Sequence, residues 1–189
     1  MKEALDKQEK LILKELIKNP RISDNQISKN TKIPVKTCNR KRKLLEKNGL
    51  IHYMVHLDNS RTGTGVFPTK HMYIIQFKKG ITRAQFMHYA KKVDFINLFL
   101  KHTSDSFLAE SNGRLQLVLF IESYHDTDII EIFNADYFSH LEVVFGKQCI
   151  SDVKVMTINS QLQGFHNYFP NINMKEGKIK PSWDKVFIY

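Results

Sequence analysis

The most constraining feature of this sequence is the stretch at residues 34–47, which holds six Lys or Arg residues and one acid. On a helix of 3.6 residues per turn, this stretch separates into two sides. Cys38 and Leu45 are seven residues apart and share one side. Four cations spaced by four, three and four residues share the opposite side: Lys36, Arg40, Lys43 and Lys47. The spacing predicts a helix that packs one stripe inward and presents four cations outward.

The residues before this helix predict two further helices. Residues 5–18 carry an apolar stripe that ends at Asn19-Pro20, and residues 23–30 begin with a capping-box pattern, Ser23 to Gln26. Pro34 suits the first turn of the basic helix, and Gly49 suits a left-handed cap after it. A helix, a short helix, a tight turn and a basic helix together predict a helix-turn-helix.

A basic helix in this arrangement suits the major groove of double-stranded DNA, where cations neutralise phosphates and polar side chains read bases. The candidates for the groove-facing positions are Lys36, Asn39, Arg40 and Lys43. The candidates for phosphate contacts are Thr37, Lys41 and Lys47. The alternative is a small three-helix bundle whose charged helix is only solvated.

The charge distribution favours the DNA-binding interpretation. Residues 1–58 contain 14 Lys or Arg against 7 Asp or Glu, whereas residues 59–189 contain 15 against 12. The two cysteines, Cys38 and Cys149, form no metal-binding motif and suit a reducing cytoplasm. No apolar run is long enough to predict a membrane span.

Residues 50–57 are β-prone and follow the basic helix directly, so they predict a wing strand. His52 and His56 share one face of that strand, and we interpret them as solvent-facing rather than as metal ligands. The breaker-rich residues 59–70 predict a linker, which gives a winged helix-turn-helix domain over residues 1–58.

Residues 71–159 predict a second domain of the ferredoxin-like βαββαβ type, so the fold class is α+β. A capping box at Thr82–Gln85 and an Asn112-Gly113 hairpin turn support this order. The predicted strands and helices are 72–77, 82–93, 96–103, 115–121, 126–145 (with a possible break at 134–136) and 153–158. Residues 160–189 form an aromatic C-terminal extension, which we expect to pack on its own or a neighbouring subunit. The alternative is a segment that binds a partner or covers a ligand.

The N-terminal 58 residues resemble the Lrp/AsnC (feast/famine) family of transcription regulators. The matching residues keep the order and spacing of the family without gaps: Leu5-Asp6, Ile12-Leu13, Leu16, Asn19, Arg21-Ile22-Ser23, Ile27, Thr37, Arg40, Leu45-Glu46 and Gly49-Leu50-Ile51. Two positions depart from the pattern. Lys32 stands where the turn usually has Gly, and Arg42 stands where an apolar inward residue is usual, so Arg42 must extend outward or pair with an acid.

The resemblance implies a homodimer or higher even oligomer formed through the second domain, and a small-molecule effector, typically an amino acid, bound between second domains. The sheet pattern agrees with the oligomer, since both faces of the first strand are apolar. The candidate effector residues are Ser111, Asn112, Gly113, Arg114 and Gln116. Gln116 stands where the family usually has a carboxylate, so we expect free amino acids to bind poorly.

Catalytic motifs are absent from the sequence, since it contains no Gly-rich phosphate loop, GxSxG or HExxH pattern. We therefore predict a sequence-specific DNA-binding regulator, with no enzymatic activity, cofactor or metal. Two alternatives stay open. One is an enzyme similar to the siroheme decarboxylases, which resemble Lrp/AsnC proteins in both domains, and the other is an assembly or adaptor protein that binds no DNA.

Overall fold

The structure is a computed structural model of the 189-residue chain. It describes residues 5–55, 57, 64–160, 162–170, 172–184, 186 and 188, except for the side chain of Val93. The chain divides into two compact units, one of Met1–Val55 with Gln161–Tyr189 and one of His56–Ser160. Residues 59–63 of the predicted linker lie outside the described residues, as do the aromatic residues Phe187 and Tyr189 of the extension.

The first unit contains the three predicted helices, α1 (Lys7–Lys18), α2 (Asp24–Thr31) and α3 (Val35–Lys47). A reciprocal capping box between Asp6 and Glu9 begins α1. The box predicted for α2 is only half formed. The Ser23 hydroxyl accepts from the backbone N–H of Gln26, whereas the Gln26 side chain donates to Asn30 instead of turning back.

The predicted wing strand is wrong for the residues that the structure describes. Residues 51–55 and 57 belong to no strand, and His56 lies outside the described residues. A strand needs a partner to satisfy its backbone groups, and no described strand pairs with this segment. Two of its side chains bond to residues at the end of α3: the His52 ring bonds the Gly49 carbonyl, and the Tyr53 hydroxyl donates to Glu46.

The second unit is an antiparallel four-stranded sheet with helices on one face. Its strands are β1 (Thr69–Phe77), β2 (Thr103–Ser111), β3 (Arg114–Ser123) and β4 (Ile150–Thr157), in the order β2-β3-β1-β4. This order, with two helical crossovers, is the predicted ferredoxin-like topology. The α+β fold class is therefore confirmed.

The core of this unit lies between the sheet and its helices, α4 (Arg83–Tyr89), α5 (Val93–His102), α6 (Asp126–Ile132) and α7 (Ser139–Phe145). Alternate residues of β1 and β3 are buried there because side chains alternate between the faces of a strand. The buried set comprises Tyr73, Ile75, Phe77, Leu115, Leu117, Leu119 and Ile121, packed with Phe86, Phe95, Ile129 and Tyr137.

Local signals in this unit are confirmed. The Thr82–Gln85 capping box is complete. Asn112 and Gly113 both have positive φ, of 51° and 68°, as a type I′ hairpin requires. The predicted helix break coincides with a π-helical segment, Phe133–Phe138, between α6 and α7.

The prediction of a strand at residues 96–103 is wrong, because residues 96–102 belong to α5 and β2 begins only at Thr103. The stretch is rich in residues that favour strands, but its apolar residues recur with helical period. Phe95, Leu98 and Phe99 are spaced by three and four positions and pack on the core. The helical period is hard to see in the sequence, because Ile96 and Leu100 are apolar as well, although the structure exposes both of them.

The C-terminal segment (residues 162–188, where described) folds as part of the first unit. It contains a short hairpin, β5 (Met174–Lys175) and β6 (Lys178–Ile179), whose second strand lies against α1. Ile179 and Ile188 are buried, and Asn173 is fully buried with its side chain bonded to the backbone of Phe169 and Asn167. These contacts pack the described part of the extension within its own unit.

No helix among the described residues is both long and apolar enough to cross a membrane.

Candidate nucleic-acid interface

Helix α3 has well-defined ends. The backbone N–H groups of Thr37 and Cys38 donate to the Pro34 carbonyl. At the other end, Gly49 has a φ of 65° and donates to Glu46, and Leu50 donates to Leu45. These two bonds form a Schellman motif, which satisfies carbonyl groups that a helix end leaves open.

The inward side of α3 contains the two predicted apolar residues. Cys38 is fully buried against Ile12, Leu16, Ile22, Ile27 and Ile33, and Leu45 is buried too. Burial raises the pKa of the Cys38 thiol, because the thiolate would lose its hydration. This packing fixes which side of the helix can face a ligand.

The outward side of α3 carries the predicted groove-facing residues Lys36, Asn39, Arg40 and Lys43, all of which are exposed. Lys47, predicted to contact phosphate, is exposed as well, and Thr37 is half-buried. The ion pairs among the described residues include none of the four outward cations, Lys36, Arg40, Lys43 and Lys47. Within the described part of the chain, the outward side is therefore a row of cations without acidic partners, suited to a polyanion.

Lys41 does not belong to this row, so its prediction as a phosphate contact needs correction. Its side chain is buried, and its ammonium group pairs with Asp6 and, at 3.3 Å, with Glu9 at the start of α1. The hydrogen bond to Asp6 raises the pKa of Lys41. The sequence already indicates this placement. Lys41 lies three residues after Cys38 and four before Leu45, so all three residues share the inward side of the helix.

Arg42, which departs from the family pattern, takes the second of its two expected arrangements and pairs with acids. One guanidinium nitrogen donates to the Ile22 carbonyl at 3.0 Å and to Asp24 Oδ1 at 3.3 Å. The Nε–H donates to Glu46 and to the Tyr53 hydroxyl, both at 3.0 Å. Burial opposes the charged form of Arg42, but the bonds to Glu46, Tyr53 and Asp24 outweigh it and raise its pKa.

Asp24 joins this cluster to the outward side of α3. Its Oδ2 accepts a 2.8 Å hydrogen bond from Nδ2 of Asn39 while Oδ1 accepts from Arg42. Five residues thus form a continuous polar chain from the segment after α3 to the outward side of the helix: Tyr53, Glu46, Arg42, Asp24 and Asn39. Sequence reasoning missed this chain because Asp24 and Asn39 are 15 residues apart.

The candidate effector residues lie in the second unit. Ser111, Asn112, Gly113 and Arg114 form the tip of the β2–β3 hairpin. Gln116 lies within β3, where its amide donates to Gln76 on β1 at 3.3 Å, so it neither caps the hairpin nor joins its tip. The structure therefore separates Gln116 from the other four.

A groove of about 640 Å³ in the same unit lies between α4, α5 and β2. Aromatic and aliphatic side chains line much of it, including Phe86, Phe95, Phe99 and Leu108. The sequence does not predict this groove, because one wall is formed by α5, much of which has the composition of a strand. Within the described residues, no cluster of His, Cys, Asp and Glu is suited to a metal ion.

Comparison with known proteins identifies the first part of the chain. Residues 5–52 match the family model described as winged helix-turn-helix DNA-binding, which confirms the helix-turn-helix predicted from the sequence. The fold and the site thus define a protein with an N-terminal helix-turn-helix of the DNA-binding class and a ferredoxin-like second unit. No curated relative matches the sequence.

Solved structures share this two-part fold. A transcriptional regulatory protein from Pyrococcus furiosus, described as a member of the AsnC family, is 15% identical with a TM-score of 0.60, and the match covers 85% of this chain and 94% of that one. B. subtilis LrpC has the same identity and TM-score over 85% of this chain and 99% of its own.

A third structure is a transcriptional regulator from Neisseria meningitidis in complex with L-Met, at 17% identity and a TM-score of 0.60, covering 85% of this chain and 94% of that one. The predicted resemblance to Lrp/AsnC proteins is confirmed as a likeness in fold.

Proposed function

We propose that this chain is a sequence-specific, DNA-binding transcription regulator of the Lrp/AsnC type. The observation that carries the proposal is the outward side of α3, where four cations without ion pairs to described residues lie opposite a buried stripe. A major groove admits a helix of this kind, and its phosphates supply the missing negative charge. The helix then offers Lys36, Asn39, Arg40 and Lys43 to base edges.

The contact most informative to test is Arg40. If its guanidinium reads a guanine, Arg40→Ala weakens binding to the preferred site by about 1–3 kcal/mol and relaxes the base preference at one position. The measurement is a fluorescence-anisotropy titration on the preferred duplex and on single-base variants of it. An unchanged affinity and an unchanged preference would contradict the groove assignment.

Lys47 and Lys41 provide a matched pair for testing phosphate contact, because both are lysines of α3 but only Lys47 is exposed. Lys47→Ala is expected to weaken binding to all sequences alike and to reduce the slope of log affinity against log salt by about one. Lys41→Ala is expected to leave that slope unchanged, since its ammonium group faces Asp6 and Glu9. Equal slopes for both variants would contradict the proposed orientation of α3.

A homodimer or higher even oligomer is part of the proposal. The sheet face opposite the helices carries apolar side chains that are half-buried or exposed, including Met72, Ile74, Val118, Phe120 and Met156. An apolar face of this extent favours a partner. A second copy with twofold symmetry also suits a palindromic DNA site. Light scattering at micromolar concentration should give twice the mass of one chain or more, and a monomer would contradict it.

For the effector, we propose that free amino acids bind poorly. The N. meningitidis structure contains L-Met, but Gln116 of this chain offers an amide, already bonded to Gln76, in place of the carboxylate usual in the family. A thermal-shift series across the twenty amino acids tests this. A ligand at 100 times its dissociation constant would stabilise the protein by about 2.7 kcal/mol, so a rise of several degrees with one amino acid would contradict the proposal.

We further propose a cytoplasmic location and no enzymatic activity. DNA binding requires access to the chromosome, and both cysteines are free and buried, as a reducing compartment permits. Absence of a tetrapyrrole absorbance band in the purified protein, together with a salt-dependent gel shift, would support a regulator against the two alternatives.

A further inference from the structure

The orientation of the Asn39 side chain follows from its partner. The two ends of an amide are chemically different, since the oxygen only accepts and the nitrogen only donates. A carboxylate oxygen accepts, and it is the nitrogen of Asn39 that donates to Asp24. Since no other described residue bonds this amide, the Asn39 oxygen and the second N–H of the same nitrogen are left for a ligand on the exposed side of α3.

Asp24 is itself held in place. Its other oxygen accepts from Arg42, and Arg42 is fixed by the Ile22 carbonyl, Glu46 and Tyr53. Bonds between charged groups are stronger than neutral ones, and a chain of satisfied bonds holds each member in one geometry. The Asn39 amide is therefore oriented before any ligand arrives, although the residue is exposed.

We propose that Asn39 is a specificity-determining residue that reads adenine in the major groove, and that Asp24 is the residue that positions it. This inference rests on the proposed function. The outward pattern of one acceptor and one donor matches adenine, which presents N6–H₂ as a donor beside N7 as an acceptor. Cytosine presents only a donor and would leave the second N–H without a partner, and guanine presents two acceptors.

The test is selection of binding sites from a random duplex pool by the full chain and its variants. Wild type should enrich a site with an adenine that Asn39→Ala no longer prefers, because a bidentate pair discriminates by roughly 5- to 150-fold. Asp24→Asn should relax preference at the same position. The substitution replaces one of the two accepting oxygens with an NH₂ group, which cannot accept from Arg42 or Asn39. The position read by Arg40 should keep its preference in both variants.

Asn25 provides the control, since it neighbours Asp24 on α2 and is exposed. Asn25→Ala should leave every base preference unchanged. Base preference is the ratio of two sequences bound by the same protein. The charge lost in Asp24→Asn changes the affinity for both sequences alike, so it cancels from this ratio. The inference is overturned if Asn39→Ala changes no position, if the affected base is not adenine, or if Asp24→Asn keeps the full preference.

A second measurement separates this inference from the proposed function. In the free protein, the side-chain amide resonances of Asn39 should shift in Asp24→Asn but not in Asn25→Ala, and an unchanged resonance in Asp24→Asn overturns the positioning role of Asp24. If wild type enriches no sequence, the proposed function itself fails. If it enriches a site that Asn39→Ala leaves unchanged, only the reading of adenine by Asn39 fails.

Discussion

The C-terminal segment should stabilise the first unit through one hydrogen bond to the end of α1. The Tyr168 hydroxyl donates to the Ile17 carbonyl at 2.8 Å. That carbonyl lies in the last turn, where helix continuation would normally supply a donor from the residue four positions later. Here the N–H of that residue, Arg21, donates to the side chain of Asn19 instead. Tyr168→Phe removes the hydroxyl and leaves the ring in place.

The magnitude follows from losing one hydrogen bond at a half-buried site. A bond of this kind contributes about 0.5–1.5 kcal/mol net, because the carbonyl regains only part of its solvation. For a unit of this size, each 1 kcal/mol shifts Tm by roughly 4–8 °C. The fluorescence of Trp183 reports on this unit alone, because it is the only tryptophan in the chain and belongs to the same segment. Its thermal transition should move to lower temperature by several degrees.

The matched control is Tyr124→Phe, which removes a hydroxyl from an exposed tyrosine of the second unit. It should leave the Trp183 transition unchanged. If Tyr168→Phe also leaves that transition unchanged, the hydroxyl does not stabilise α1 and the segment is held by its apolar residues alone.

Three further results are expected. Lys32→Gly should raise stability by about 0.5–1 kcal/mol, because Lys32 has a φ of 61°, whereas Lys29→Gly inside α2 should lower it by about 1 kcal/mol in the same denaturant titration. The hydrogen bond from its lysine partner lowers the pKa of Asp6 below the ordinary 3.8, so its stabilisation persists above that pH and is lost on further acidification. In an acid titration of stability, Asp6→Asn should therefore not show the loss that protonation of Asp6 causes in the wild type. Cys38 and Cys149 should resist alkylation until the protein unfolds, because both are buried and burial raises both thiol pKa values. Rapid labelling in the folded state would contradict the described cores.

Features set by neighbouring residues could be predicted from the sequence. The Thr82–Gln85 capping box and the Asn112-Gly113 turn each depend on a few adjacent positions, and both are confirmed. The strand predicted at 96–103 is wrong because this continuous apolar run has the composition of a strand, whereas its core contacts recur with the helical period. The wing strand failed because β-propensity near Tyr53 cannot supply a pairing partner.

The interface was only partly predictable. The exposure of a side chain on α3 follows from the helical period, whereas its ion-pair partners depend on tertiary contacts. The helical period placed Lys36, Arg40 and Lys43 outward, as the structure has them. It also placed Lys41 on the side of Cys38, a signal that the charge of the residue obscured. The acids that accept from Lys41 lie 35 and 32 residues away, so no local pattern reveals them.

Ion pairs on both flanks of α3 hold the helix in place and should respond to salt differently from its outward cations. Lys41 ties α3 to the start of α1, and Arg42 ties it to α2 through Asp24, while Cys38 and Leu45 are its buried apolar residues. The Lys41 and Arg42 side chains are only 9% and 22% exposed, so salt screens these cations less than the exposed outward ones. Rising salt should therefore release DNA before it loosens the helix. The dependence of DNA affinity on salt then measures lost phosphate contacts rather than a change in the position of α3.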